Sequence, residues 1–271
     1  ATLAVTRILH DRGLVPRIAH PLWTLNGALW TQIGRLPLAL YPLLAGQPPP
    51  FPLSHALRRE LARSIALIHA ATPAVAGILP RHDCYEIPDE TTLLQGLAAF
   101  EQVHAGHRPG LQALQRLLLP RVAEVLAQHA RLRALRAVVQ NLTSPHVLCH
   151  RDLTSNNLLV HERGQLSIVD WDAAALAPPE HDLWVLIGED FGQLLDAYRQ
   201  AGGMRELHVE QFEFYLLRRY LGDMLARLAG LLQTETGTDD EELLRGMEAY
   251  GFSRWAGLAG TLREIGAALS G

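Results

Sequence analysis

His150-Arg151-Asp152-Leu153-Thr154-Ser155-Asn156-Asn157 and, thirteen residues beyond its end, Asp170-Trp171-Asp172 are the densest polar stretches set in an apolar context in this 271-residue chain. Apolar runs flank them: His146–Cys149 before the first, Asn157–Val160 after it, and Leu166–Val169 leading into the second. Each run reads as a short strand, the last two joined by the turn Glu162-Arg163-Gly164-Gln165. Two carboxylates and an amide at neighbouring strand ends could share one site, with one carboxylate accepting a hydroxyl proton while the others hold Mg²⁺. Taken alone, Asp152 and Asn157 could instead cap turns, as Asp and Asn do routinely. Asp170 and the segment Pro179-Glu180-His181-Asp182-Leu183 weigh against that reading.

Upstream, residues 2–12 carry Leu3, Val5, Ile8 and Leu9 at helical spacing, with Gly13 as the stop. Leu22–Leu25, Asn26-Gly27 and Ala28–Ile33 read as a hairpin, because Asn-Gly tolerates the positive φ of a tight turn. Gly34-Arg35 turns again into the apolar run Leu36–Tyr41, so the pattern predicts a three-strand meander. Pro42, Gly46 and the stiff run Pro48-Pro49-Pro50-Phe51-Pro52 exclude a helix or a central strand and place a boundary there. Ser54 is the expected N-cap of a helix ending near Ala70, with Leu57, Leu61, Ile65 and Ile68 on one face. Residues 91–140 read as helices broken near Arg108-Pro109-Gly110 and kinked at Pro120. Helical patterning resumes at Asp182, with Phe212, Tyr215, Leu216, Tyr220, Leu225 and Leu228 as a buried stripe.

Composition narrows the function classes. Hydrophobic residues make up 48% and charged residues 19% of the chain, a globular balance. The net charge of -4 disfavours a nucleic-acid partner bound by bulk electrostatics. Two cysteines, Cys84 and Cys149, are too few for a disulfide framework and point to a reducing compartment. No apolar run approaches the roughly 20 residues of a bilayer span, and no signal peptide opens the chain, so the expectation is a soluble, cytoplasmic protein with no membrane partner. All 24 Lys+Arg residues are arginine. Any mechanism resting on a lysine Schiff base, lysine general base or P-loop lysine is thereby excluded.

The spacing from Asp152 to Asn157 and on to Asp170 resembles the catalytic and metal-binding loops of the protein-kinase-like fold. Asp170-Trp171-Asp172 followed by Pro179–Leu183 looks like the aminoglycoside phosphotransferase family. The run Val147–Leu186, with Ala177-Pro178-Pro179-Glu180, is similar to its spectinomycin phosphotransferase-type members. The match is at motif level over residues 147–183 and in element order over nearly the whole chain. It implies an α+β, two-lobed protein-kinase-like fold. A partial sheet-containing N-terminal lobe would cover residues 1–46, and a mostly helical C-terminal lobe residues 47–271. It implies ATP, or another nucleoside triphosphate, and Mg²⁺ as cofactors, with a small-molecule hydroxyl as acceptor. Asp152 would orient that hydroxyl and take its proton. Asn157 and Asp170 would bind Mg²⁺, His150 would brace the loop, and Asp182 would anchor it to the helical lobe. Pro42, through its carbonyl, and Leu44, through its N–H, would face adenine.

Within that resemblance the favoured acceptor is an aminocyclitol such as spectinomycin, although choline, homoserine and sugar kinases of similar fold share the motifs. Glu189, Asp190, Glu213 and Asp223 are candidate contacts for a cationic substrate. Asp172 reads either as support for the metal site or as surface charge, and Trp171 and Trp184 as packing residues. The family's phosphate-covering loop, its nucleotide-anchoring lysine and the glutamate that pairs it have no counterpart before Glu60, where Arg7 and Arg12 are the early cations. The expectation is an N-terminally shortened member whose open sheet edge favours self-association. A non-catalytic remnant that binds a ligand or partner is the rival reading. A metal-dependent phosphohydrolase built on His10-Asp11, His82-Asp83 and His181-Asp182 would need those doublets to converge on one metal. The run Asp239-Asp240-Glu241-Glu242 reads as a solvated helix start that complements the macrodipole.

Overall fold

A computed structural model describes residues 1–270 except 51, 80, 88–89, 102, 105, 162–163 and 234–238, with only the backbone at 90, 92, 100, 101 and 233. Phe51 of the proline run, and Glu162 and Arg163 of the expected turn, therefore lie outside the described residues. In chain order the elements are α1 (Thr2–Asp11), β1 (Thr31–Ile33), β2 (Leu36–Leu38), α2 (His55–Ala70), α3 (Thr72–Val75), α4 (Glu90–Glu101), α5 (Pro109–Leu118) and α6 (Val122–Val139). There follow β3 (Val147–Cys149), β4 (Leu158–Val160), β5 (Leu166–Ile168), β6 (Ala175–Ala177), α7 (Glu180–Leu183), α8 (Phe191–Gln200), α9 (Val209–Gln233), α10 (Asp240–Met247) and α11 (Ser253–Ser270). This is an α+β chain with short antiparallel pairs and a predominance of helix. None of the described helices is long and apolar enough to cross a membrane.

The chain folds as two compact units, one of residues 1–84, 143–208 and 267–271, the other of 85–142 and 209–266. In the first, α2 runs from its Ser54 cap, whose hydroxyl accepts the Leu57 N–H at 3.4 Å. Leu57, Leu61, Ile65 and Ile68 are all buried, as their helical spacing requires, and α2 packs on α8 and β3. β4 and β5 pair through Leu158↔Ile168, Leu159↔Ser167 and Val160↔Leu166. Single bridges extend this pair on both sides, Ile18 beside Ile168 and Gln47 beside Val160. Gly46 makes the second approach possible: at φ +129, a Cβ there would sit 3.1 Å from both Leu159 Cβ and the Val160 carbonyl oxygen. The stretch before Gly46 is thereby carried across β4.

Two expectations about this unit need correction. The meander has two strands, β1 and β2, closed at Gly34 (φ 65), and not three. Leu22–Leu25 contributes one bond to the Leu40 carbonyl (2.7 Å), while Thr24 bonds Ala28 locally (2.8 Å). The Ala28 N–H goes to the Thr24 hydroxyl (2.9 Å), so the Asn26-Gly27 turn closes on a side chain and is not continued as a ladder into Thr31–Ile33. A further strand, β6, pairs with β3 from Cys149↔Ala175 to Val147↔Ala177. Its Ala-Leu-Ala sequence carries neither alternation nor β-branched residues.

In the second unit α9 packs against α6 and α10, with Phe212, Tyr215, Leu216, Tyr220 and Leu228 buried and Leu225 half-buried beside buried Met224. The helix break before α5 falls where expected, with Arg108 preceding Pro109 at the first turn. Arg108 Nη1 bonds both oxygens of Asp240, at 2.8 and 3.0 Å. Asp240 is buried and ion-paired rather than solvated, so the expectation for that position of the acidic run is overturned.

Candidate active site

The loop after β3 is held by its own backbone. The Asp182 carboxylate accepts the N–H of His150 (2.8 Å, Oδ2) and of Arg151 (2.7 Å, Oδ1). That grip holds Arg151 in the left-handed region at φ 74, which an arginine rarely adopts unaided. Burial pushes the Asp182 carboxyl up. The hydrogen bond from His69 and the fields of His69, His150 and His181 outweigh that effect and hold it below the ordinary value.

His150 is fully buried, and burial pushes its imidazole below the usual histidine value. The neutral ring donates from Nε2 to the Val169 carbonyl (2.9 Å), which leaves Nδ1 to accept the Asp152 N–H (3.3 Å). Its edge rests on buried Trp171, centroids 4.8 Å apart. The Val169 N–H in turn reaches the Asn157 carbonyl (3.0 Å). Val169 is thus fixed from both sides, and Asp170 follows it at φ 61, a left-handed position that Asp tolerates better than most residues. Asn157 donates from its side-chain amide to the Asp152 carbonyl (2.8 Å) and carboxylate (3.0 Å). Asp152, Asn157, His150 and Asp182 therefore form one bonded group, and Asp170 is placed by it.

Asp170 opens onto a cavity of about 580 Å³, whose described lining includes neither Asp152 nor Asn157. Pro42 and Leu44 line it together with Tyr41, Leu159, Asp170 and Asp172. The expected hinge residues and an expected metal ligand therefore meet on one cavity, and Asp172 faces the same space. Sequence reasoning missed Tyr41 and the α1 residues Thr2, Leu3 and Thr6, which also line it. The signal for Tyr41 was its place next to Pro42. Burial pushes its phenol up, and the Asp172 and Asp170 charges push the same way.

Other candidates are engaged elsewhere. Asp190 pairs with Arg58 and with His55 Nδ1 (2.6 Å), Glu213 with Arg131 (2.5 Å), and Asp223 with Arg219 (3.1 Å). Glu189 is exposed. Of the His-Asp doublets, His181 Nε2 lies 4.0 Å from Asp83, whereas His10 stacks on His20 at 3.5 Å and pairs with Asp11. The three doublets do not surround one point.

A sequence model of the phosphotransferase enzyme family matches residues 1–215. Among solved structures, a spectinomycin phosphotransferase in complex with ADP and spectinomycin superposes with a TM-score of 0.72 at 20% identity, over 91% of this chain and 77% of that one. An aminoglycoside phosphotransferase from Alicyclobacillus acidocaldarius gives 0.65 at 18% identity, over 98% and 82%. A choline/ethanolamine kinase family protein from Mesorhizobium loti gives 0.55 at 17%, over 99% and 81%. These likenesses establish a protein-kinase-like fold. With the family match over most of its length, the chain belongs to the phosphotransferase enzyme family, the aminoglycoside phosphotransferase group that its loop motifs resemble.

Proposed function

We propose that this phosphotransferase moves the terminal phosphoryl group of ATP, with Mg²⁺, to a hydroxyl of a small molecule, with an aminocyclitol of the spectinomycin type as first candidate. One observation carries the reading: Asp170, which follows a Val169 bonded to both His150 and Asn157, lines the same cavity as Pro42 and Leu44.

The residues fit Mg²⁺ and the purine part of ATP. Asp170 and Asp172 offer hard carboxylate oxygens, the donor type that Mg²⁺ takes. Asn157 spends its amide hydrogens on Asp152, which leaves its side-chain oxygen as a ligand. Leu44 and Leu159 give the cavity apolar walls suited to a purine, and Pro42 and Leu44 bring backbone groups for its edge. Held by Asn157, Asp170 and Asp172, Mg²⁺ would supply positive charge to offset the charge that develops in transfer. Asp152 accepts the acceptor hydroxyl's proton at its carboxylate, oriented by Asn157. His150 keeps the loop and Asp170 in fixed relation through Val169. Asp182 holds the loop's amides. Phosphoryl transfer asks the protein mainly for positioning, which this bonded group supplies.

The choice of acceptor is supported by the spectinomycin-bound relative and by the run Val147–Leu186. A cytoplasmic setting agrees with use of a nucleotide and with Cys84 and Cys149 being thiols outside any disulfide. Residues 22–43 form an apolar, exposed hairpin region that we assign to contact with a second copy. A non-catalytic binder is the second reading, favoured by a single observation: among the described residues no arginine lines the cavity, so triphosphate charge has no cationic side chain there.

The test is calorimetry of ATP binding with and without Mg²⁺, followed by phosphorus NMR of ATP mixed with spectinomycin. Magnesium-dependent binding and a new phosphate ester support the enzyme. Binding without turnover on any hydroxyl acceptor of a broad screen supports the binder.

A further inference from the structure

A buried chain of hydrogen bonds runs behind the catalytic loop, and the chemistry above does not use it. Asp182, which holds the His150 and Arg151 amides, lies 3.5 Å from His69 Nε2 on α2. His69 Nδ1 is 2.8 Å from the Tyr198 hydroxyl on α8. The same hydroxyl oxygen accepts the Met204 N–H at 3.0 Å. The proton positions follow from these partners. Tyr198 receives a hydrogen bond from Met204, so its own O–H points to His69 Nδ1, and His69 carries its hydrogen on Nε2, facing Asp182. Burial pushes the Tyr198 phenol up, which keeps that O–H in place. His69, Asp182 and Tyr198 are 3%, 1% and 0% exposed, so water cannot substitute for a missing partner.

The far end of this chain is the segment 201–208. Gly203 presses on the Tyr198 ring so closely that a Cβ there would lie 2.4 Å from its Cζ. Five residues on, the His208 N–H donates to Glu180 (2.8 Å), a residue of the same helical turn, α7, that carries Asp182. One short helix thus grips the catalytic loop with one carboxyl and the end of the 201–208 segment with another.

We propose that His69 and Tyr198 are positioning residues, fixing Asp182 against the loop amides and linking the placement of Asp152 to the seating of residues 201–208. The catalytic consequence rests on the function proposed above; the effect on the loop does not.

The experiment is amide hydrogen exchange by mass spectrometry on the full chain and on Tyr198→Phe, which keeps the ring and removes the hydroxyl. Mg-ATP hydrolysis and phosphoryl transfer to spectinomycin are followed in parallel. Exchange in peptides covering 149–153 should rise roughly tenfold, the upper range for loss of one net hydrogen bond, with the β4–β5 amides unchanged. Turnover should fall while the ATP dissociation constant stays the same. His69→Gln should reproduce both effects and keeps the proposal testable if Tyr198→Phe folds poorly. Unchanged exchange at 149–153, or an equal rise everywhere, overturns the positioning role. A loosened loop in a chain that never transfers phosphate upholds the linkage and sinks the phosphotransfer reading alone.

Discussion

Asn157 gives both hydrogens of its side-chain amide to Asp152, one to the main-chain carbonyl at 2.8 Å and one to the carboxylate at 3.0 Å. These two bonds fix the Asp152 carboxylate relative to its own loop. Asp152→Ala should lower turnover by roughly 10²–10⁴, the range for losing a general base, with nucleotide affinity little changed. Steady-state kinetics with the best acceptor found would show this, and an unchanged kcat would remove Asp152 from the mechanism.

Asp170 and Asp172 both face the cavity, but only Asp170 follows the doubly bonded Val169. Position should therefore matter more than charge. Asp170→Ala is expected to abolish the magnesium-dependent part of ATP binding, whereas Asp172→Ala should weaken it by less. Calorimetry at matched ionic strength separates the two, and equal losses would argue that the pair acts as one diffuse negative field.

Glu180 is buried, and burial pushes its carboxyl from the ordinary 4.5 to about 7, against the His208 N–H and its own backbone N–H, which lower it. A raised native value means that the folded chain binds more protons than the unfolded one between those limits. Stability from this group is full below about pH 4.5 and is lost as pH climbs through about 7, a loss on the order of 3 kcal/mol. Glu180→Gln keeps an oxygen for His208 and removes the titration. The variant should gain on the natural chain from pH 5 to pH 8 in thermal melts. Parallel curves for the two chains would contradict the assignment.

The bonded candidate loop stood out in the sequence because Asp152, Asn157 and Asp170 lie at fixed separations between apolar runs. Pro42 and Gly46 were legible as backbone constraints, and α2 as a helical stripe. Partner-dependent features were not. Leu22–Leu25 has strand composition, but Thr24 ties Ala28 locally and the Leu22 N–H goes to Leu40, so no ladder forms with the expected partner. β6 is built from alanines whose strand state comes from β3 alone. Asp240 looks solvated in sequence because Arg108, its partner, is 132 residues away. His69 and Tyr198 lie among core residues at helical spacing, so nothing local marks them as polar links.

Ten of the sixteen exposed large apolar side chains among the described residues fall between Leu22 and Leu43, and Arg35 is the single charged residue in that interval. Every residue of β1 and β2 is exposed. A two-stranded hairpin with both faces in water is marginal by itself, and its edge offers unpaired backbone groups. A second copy presents the same apolar, nearly uncharged surface, so self-pairing meets no like-charge repulsion beyond Arg35. The 271-residue chain should therefore associate as its concentration rises, read as a growing mass by light scattering behind a sizing column. Ile33→Lys with Leu36→Lys puts two like charges at the cross-strand pair Ile33↔Leu36 and should return the chain to a monomer. Both side chains are exposed, so the fold should tolerate the change. A natural chain that stays monomeric throughout the series would leave this surface without the partner assigned to it.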